Sequence, residues 1–598
     1  MFCLKLFFFI MILSKELFFL IKSGFRINLE VIMAQIELKQ NTIPELLNQS
    51  YHKYSNLNAI SYVGENFLTY KDLKEKVEET AHLLLKNGII KNDKVAILGE
   101  NSPNWVISYL AINSIGAVCV PILTGFASSD IHHILRSSEV SAIFISEKYL
   151  SKISDSDLPD LFFYVSLKDF NVIHRKEKKT KYYDSLLKKL KKNKSENISD
   201  DQILEIADKP APSDLAAIIY TSGTTGNSKG VMLSHNNIVS DVIYSIELFP
   251  IDSNDRFLSI LPLAHTFEAT GGMLCPLSVG VSIQYLKGLP TPQKLLDAMK
   301  IVKPTGVLTV PLVVDKIYRK KILPKVQADS VLKFAYKIPP LRKMIHKKAG
   351  KQVIASFGGN LRFFMFGGAA LNRDVEIFLR DAEISYSTGY GMTETSPIMT
   401  INPFGKVKMG SCGKPISGIE MKIHNPDSKT GVGEIIVRGP ITMQGYYKNK
   451  KATEEIFLED GWLRTGDLGY FDSENYMFIK GRSKNVIVGP SGENIYPENI
   501  ELLLTQNEFI QQAVVYENKE SILALVYPDY DAIDKVIKAS DETTARKTID
   551  KILEKVRIDV NKQLPSFSKI NKIIEHQEAF KLTPTNKVKR YLYIHSSE

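Results

Sequence analysis

Two hydrophobic periods alternate along most of the chain. Lys94-Val-Ala-Ile-Leu98, Ala142–Ser146 and Leu215–Ile219 are short, nearly unbroken apolar runs, the pattern of strands buried on both faces. Phe257–Pro262 and Val307–Val310 repeat it, and a further strand in Leu361–Ala370 runs into small residues. Between these runs, apolar positions recur at helical spacing, as in Tyr70–Leu85, which stops at Asn87-Gly88, and Pro103–Gly116. Strand–helix alternation predicts an α/β fold in which mostly parallel sheets are covered by helices. Beyond Gly431 the strands become short and turn-separated, which predicts a small barrel-like subdomain around Gly431–Gly439. Two strands, Ala513–Tyr516 and Ile522–Tyr527, set among long polar helices, then predict a smaller α+β domain.

A length of 598 residues exceeds what one core organises, so at least two domains are expected, here 33–483 and 484–598. The first segment, 1–32, stands apart. Its apolar run is broken by Lys5, Lys15 and Glu16, which leaves it too short to span a bilayer, and no clean cleavage site follows. Two readings stay open: an over-long start, with Met33 the true beginning, or an interfacial anchor. The four cysteines are scattered without a C-x-x-C pair, so neither a zinc site nor a disulfide framework follows. His132-His133, at a polar helix start, has no third ligand placed with it and reads as solvated or capping. The net charge of +10 suits an anionic substrate, an acidic partner or an anionic membrane surface and selects none. Part of that charge lies in Lys316–Lys351, either a solvated face or a patch for anionic lipid or an acidic protein. The expected setting is cytoplasmic, with peripheral contact at the inner membrane open and no nucleic-acid partner.

The chemistry centres on Tyr220-Thr-Ser-Gly-Thr-Thr-Gly-Asn-Ser-Lys-Gly230, between a strand and a helical pattern. Three glycines and five Ser/Thr residues let bare N–H groups approach an anion, and Lys229 adds positive charge. It is not a Walker A loop, because Lys229 stands three residues after Gly226 and is followed by Gly230. Downstream, the small residues Gly368 and Ala369 leave a slot for a flat ring, and Tyr386-Ser-Thr-Gly-Tyr-Gly-Met-Thr-Glu-Thr395 brackets an aromatic with glycines.

Thr221–Gly230 resembles the signature loop of the adenylate-forming, AMP-binding superfamily, which includes acyl-CoA synthetases, luciferases and peptide-synthetase adenylation domains. Four further stretches follow in the family's order. Asp460-Gly-Trp-Leu-Arg-Thr-Gly-Asp-Leu-Gly469 resembles the long-chain fatty acid–CoA ligase and acyl–acyl carrier protein synthetase type. It departs from that pattern at Arg464 and Asn475, and Asn586 replaces a common glycine in the terminal lysine motif. The resemblance implies ATP and Mg2+ as cofactors. Thr221, Ser222, Gly223, Thr224, Thr225, Gly226 and Lys229 would grip phosphate, with Thr224 and Lys229 catalytic, and Thr393 would touch it. Tyr390, beside Gly391, would stack on adenine, Asp467 would accept the ribose hydroxyls, Arg482 would contact the nucleotide, and Glu394 would hold the metal. His265 would lie against the carboxylate, Lys484 would be the hinge, and Lys587 the catalytic lysine. Spacing alone does not separate Lys587 from Lys589 and Arg590.

A carboxylate is a poor electrophile, so thioester formation needs prior activation. The resemblance implies attack of a fatty acid on the α-phosphate of ATP, giving acyl-adenylate and pyrophosphate, then attack by a thiol after the small domain rotates. Eleven residues follow Lys587, so no fused carrier domain is expected. An H-x-x-x-x-D acyltransferase motif is also missing, since Asp241 lies six residues after His235. The acceptor is coenzyme A or the phosphopantetheine of a separate acyl carrier protein. A non-catalytic acyl-binding protein of this fold would need Lys587 or Glu394 displaced.

Overall fold

The computed structural model describes residues 36, 38–153, 158, 160–175, 184–186, 188–189, 200–221, 228–288, 291–489, 493–519, 521–537, 542–583 and 587–594. The extension 1–32 and loop residues Ser222, Gly223, Thr224, Thr225 and Gly226 lie outside them.

Two large sheets carry the main domain. In the eight-stranded one, Val118–Ile122, Lys94–Leu98, Val140–Ile145 and Phe163–Ser166 run parallel side by side. Val95, Ala96, Ile97 and Leu98 are wholly buried, as strands covered on both faces must be. One covering helix, Tyr70–Lys86, begins with a capping box in which Thr69 and Asp72 satisfy each other's backbone N–H groups. Another, Pro103–Ser114, is capped by Ser102 and buried nearly all round, so its apolar residues show little helical sidedness. The nine-stranded sheet aligns Ser282–Tyr285, Arg256–Ser259, Gly306–Thr309, Phe363–Phe366 and Tyr386–Gly391 in parallel, so their carboxyl ends open at one edge. One apolar core joins both sheets, and a second, with Met299, Phe357, Phe364 and Phe378, fills under the nine-stranded sheet.

A four-stranded antiparallel sheet, Glu420–His424, Gly433–Arg438, Leu463–Phe471 and Met477–Arg482, forms the small subdomain. Beyond it a third apolar cluster, from Ile487 to Ile573, belongs to the C-terminal part. There Ile510–Asn518 and Ser521–Pro528 form a hairpin, and Lys572–Glu575 adds a parallel strand.

Two local expectations change. No helix directly follows the glycine-rich loop: Lys229–Ser234 is a strand, antiparallel to Leu215–Thr221, and the helix His235–Leu248 starts only afterwards, capped by Ser234. Gly230 packs beneath its partner strand, where a Cβ would meet Ile218 at 2.8 Å and Tyr220 at 3.0 Å. The loop therefore connects the two strands of a hairpin, and the next helix begins only at His235. His132 and His133 sit inside the helix Ser128–Ser137 and not at its start, and His133 Nε2 lies 3.3 Å from the Ser228 carbonyl at the loop's far end.

Candidate active site

The strand Tyr386–Gly391 sets the site because its backbone is crowded. A Cβ at Gly391 would fall 1.6 Å from the Pro397 carbonyl oxygen, and one at Gly389 2.9 Å from that of Thr400. Only glycine fits on either side of Tyr390. The Tyr390 hydroxyl donates to Asp467 Oδ2 at 2.7 Å, and the Arg482 guanidinium pairs with Oδ1, its Nε 2.9 Å away. Asp467 and Arg482 face each other in register on neighbouring strands, so the backbone fixes this pair. Burial, then the Asp467 charge, holds the Tyr390 phenol well above its ordinary pKa, and Asp467 raises that of Arg482.

One turn on, Thr393–Thr395 forms a 3₁₀ turn that buries Glu394. Its Oε1 accepts from the Tyr446 hydroxyl at 2.8 Å, and its backbone carbonyl accepts from the Met443 N–H at 2.9 Å. Burial pushes the Glu394 carboxyl pKa up. Tyr446 lies on the short strand Gly445–Tyr446, paired with Val231 of the loop hairpin, and the Lys229 ammonium sits over its ring, 4.9 Å from the centroid. Tyr446 thus ties Lys229 to Glu394, and it escaped the motif reading. Its only trace in the sequence is an aromatic pair after Gly445.

His265 follows the strand Arg256–Ser259, and its Nδ1 accepts from the Phe267 N–H at 3.3 Å. Burial, with help from the Lys587 charge, lowers its pKa to about 4, so the ring is neutral at pH 7. The Phe267 ring lies against Gly367, where a Cβ would be 3.0 Å away, and Gly368 turns the chain with φ +81°. Gly368 and Ala369 are exposed at this strand end. One residue after Phe267, the buried Glu268 accepts from the Ser259 hydroxyl at 2.6 Å, and burial raises its pKa to about 8.

Lys587 enters from the C-terminal part. Its N–H donates to the Thr583 hydroxyl at 3.1 Å, in a turn closed by the Leu582–Val588 bridge. Its ammonium is open to water yet walled by protein, within electrostatic reach of Arg482, Asp467 and Glu394. Burial, ahead of the Arg482 charge, lowers its pKa. Arg590 is engaged elsewhere, on Glu501 and on the Val515 carbonyl at 2.8 Å. Of these two basic residues, Lys587 is the one within electrostatic reach of Arg482, Asp467 and Glu394. Lys484 sits exposed in the turn Ser483–Asn485 between the subdomain sheet and the third core.

The site thus gathers His265, Tyr390, Glu394, Asp467, Arg482 and Lys587, with Lys229 reached through Tyr446. Among the described residues no group of three or more His, Cys, Asp or Glu side chains could hold a metal by itself. A lone buried carboxylate such as Glu394 suits Mg2+, which takes few protein ligands and fills its shell with water and substrate phosphate oxygens.

Residues 47–447 match the family described as AMP-binding enzyme. The chain is 31% identical over 515 residues to the long-chain-fatty-acid–CoA ligase ACSBG2 of Rattus norvegicus, covering 81% of this chain and 76% of the relative. It is 26% identical over 634 residues to the chloroplastic long-chain-fatty-acid–[acyl-carrier-protein] ligase AEE15 of Arabidopsis thaliana, covering 92% of this chain and 85% of that one. Among solved structures, ATP-bound MatB from Rhodopseudomonas palustris shares the fold, with a TM-score of 0.69 at 22% identity, covering 92% of this chain and 98% of the other. The chain belongs to the AMP-binding enzyme family.

Proposed function

We propose that this enzyme activates a long-chain fatty acid with ATP as the acyl-adenylate, releasing pyrophosphate, and then passes the acyl group to the thiol of coenzyme A. The observation that carries the reading is that Lys587, from the C-terminal part, lies within electrostatic reach of His265, Glu394, Asp467 and Arg482, of which Asp467 pairs with Arg482. Asp467, oriented by Tyr390 and Arg482, offers two carboxylate oxygens to a ribose diol. Neutral His265 lines the place of the fatty carboxylate without adding charge. Lys587 bridges that carboxylate and the α-phosphate, offsetting the repulsion between two anions. Thr221, Lys229 and Thr393 would grip the phosphates, and the same part is assigned to Ser222–Gly226 from the motif, since they lie outside the described residues. Glu394 would hold Mg2+, which neutralises charge on the departing pyrophosphate. The domains divide as 33–483 and 484–598, with Lys484 as hinge.

A second acceptor, acyl carrier protein, is favoured by one observation: the AEE15 relative, named for that acceptor, aligns over 92% of this chain. Pyrophosphate exchange across a panel of carboxylic acids tests the first step. The reading expects exchange with palmitate and fails if only acetate or an amino acid supports it. Thioester formation with coenzyme A against carrier protein then separates the acceptors.

A further inference from the structure

Large apolar side chains exposed to solvent occur singly or in pairs over most of the described surface, and one stretch concentrates them. Six of the eighteen lie between Val331 and Met344. Val331 is 76% exposed, Phe334 68% and Met344 68%, more than any others on the molecule's described surface. Val331 and Phe334 stand one turn apart on the helix Ser330–Ala335, and Leu341 and Met344 one turn apart on the helix Pro339–Ser356. Concentrated exposure of this kind marks an interaction surface.

The segment is held firmly from beneath. The Tyr336 hydroxyl lies 2.6 Å from that of Tyr318 and 2.8 Å from His346 Nε2, and His346 Nδ1 lies 3.1 Å from Asp381. Arg342 adds a 3.2 Å contact to Asp381. The apolar side chains therefore face outward on two successive helices braced from beneath. Its surroundings are strongly basic: residues 316–352 contain twelve Lys and Arg and a single acidic residue, Asp329. Lys320, Lys333, Lys337 and Lys348 are exposed and form no ion pair among the described residues.

We propose that this face, with Val331, Phe334, Leu341 and Met344 at its centre and lysines around them, docks the enzyme on an anionic lipid bilayer. Apolar side chains entering the headgroup layer, with lysine stems reaching outward to phosphate, match the chemistry of an interfacial helix. An acidic protein would satisfy the lysines but not three side chains exposed by more than two-thirds. A second copy docking through the same face would set lysine against lysine. The proposal rests on the fatty-acid reading only for why a bilayer is visited, since the acid partitions there.

Full-length protein is sedimented with phosphatidylcholine vesicles, with and without phosphatidylglycerol, at low and high salt. Two variants are compared, V331S/F334S/M344S and K333E/K337E/K348E. All forms keep the same N-terminus, so any difference in partitioning between them reports on this face. Wild type should pellet with anionic vesicles and be released by salt. Each variant should lose about tenfold or more in partitioning while keeping wild-type pyrophosphate exchange and thermal unfolding. Wild-type partitioning in either variant overturns the proposal, as does equal binding to neutral vesicles. Loss of carrier-protein-dependent turnover with vesicle binding intact would assign the face to an acidic protein and also overturn it. Because partitioning is read without turnover, a failed fatty-acid reading leaves this outcome separately decidable.

Discussion

Replacing Lys587 with alanine separates a catalytic lysine from a structural one. In a protein-walled cleft still reached by water, a unit charge about 4 Å from an anion contributes roughly 4 kcal/mol at an effective dielectric near 20. Part of that offsets the cost of charging the ammonium, whose pKa burial and Arg482 already lower. A net loss of about 3–4 kcal/mol remains, or roughly 10²–10³-fold in adenylation kcat/KM. The second half-reaction, thiol attack on supplied acyl-adenylate, should fall less than about fivefold, since the rotation proposed for the small domain would take Lys587 out of the cleft. Pyrophosphate exchange reads the first step, and thioester formation from synthetic acyl-adenylate reads the second. Because the charged form is needed, wild-type adenylation should decline as pH rises through a pKa below the ordinary lysine value of 10.5, a limb missing from the residual K587A activity. Arg590→Ala is the control: freeing Glu501 should destabilise the small domain and lower both steps together. Equal loss of both steps in K587A, at unchanged stability, would refute the assignment.

Three further outcomes follow from single contacts. Tyr390→Phe removes the donor at 2.7 Å from Asp467 and should weaken ATP binding about tenfold by calorimetry, with little change in fold. Tyr446→Phe frees Glu394 Oε1 and should raise the magnesium concentration needed for half-maximal exchange several-fold, more than it raises the KM for the acid. Glu268→Gln addresses stability: with its pKa raised from 4.5 to about 8, the carboxyl's contribution is fully present below pH 4.5 and is lost as pH rises through 8. The variant should therefore gain on wild type between pH 5 and 9, by on the order of 4 kcal/mol at the alkaline end, and parallel Tm–pH curves would contradict this.

Much of the fold was legible because parallel strands covered on both faces leave continuous apolar runs, and Lys94–Leu98, Val307–Val310 and Leu215–Ile219 are all strands in the structure. The misreading at Lys229–Ser234 has a physical source. Six residues of mixed pattern before a capped helix carry too little period to distinguish a returning strand from a helix lead-in, and the pairing that decides it is made with Leu215–Thr221. In the same way, Lys587 and Arg590 look alike as charges near the C-terminus until Glu501 and the Val515 carbonyl claim one of them.

Tyr446 shows why motif reading stops short of the assembled site. Lys229 and Glu394 each belong to a recognisable stretch, yet neither stretch says how the two are held at a fixed separation. The strand Gly445–Tyr446 supplies that by pairing with Met232 and Val231, which places the phenol beside Lys229 through backbone register. The Met443 N–H then binds the Glu394 carbonyl, so the same short segment grips both partners. Such a link is written in strand pairing between distant segments, where no local period or residue spacing can record it. Burial is the largest influence against the charged form of Glu394, and the Tyr446 donor is the largest one in its favour. Glu394, proposed to hold the metal, and Lys229, proposed to grip phosphate, are therefore best treated as one mechanical unit, with Tyr446 as its joint.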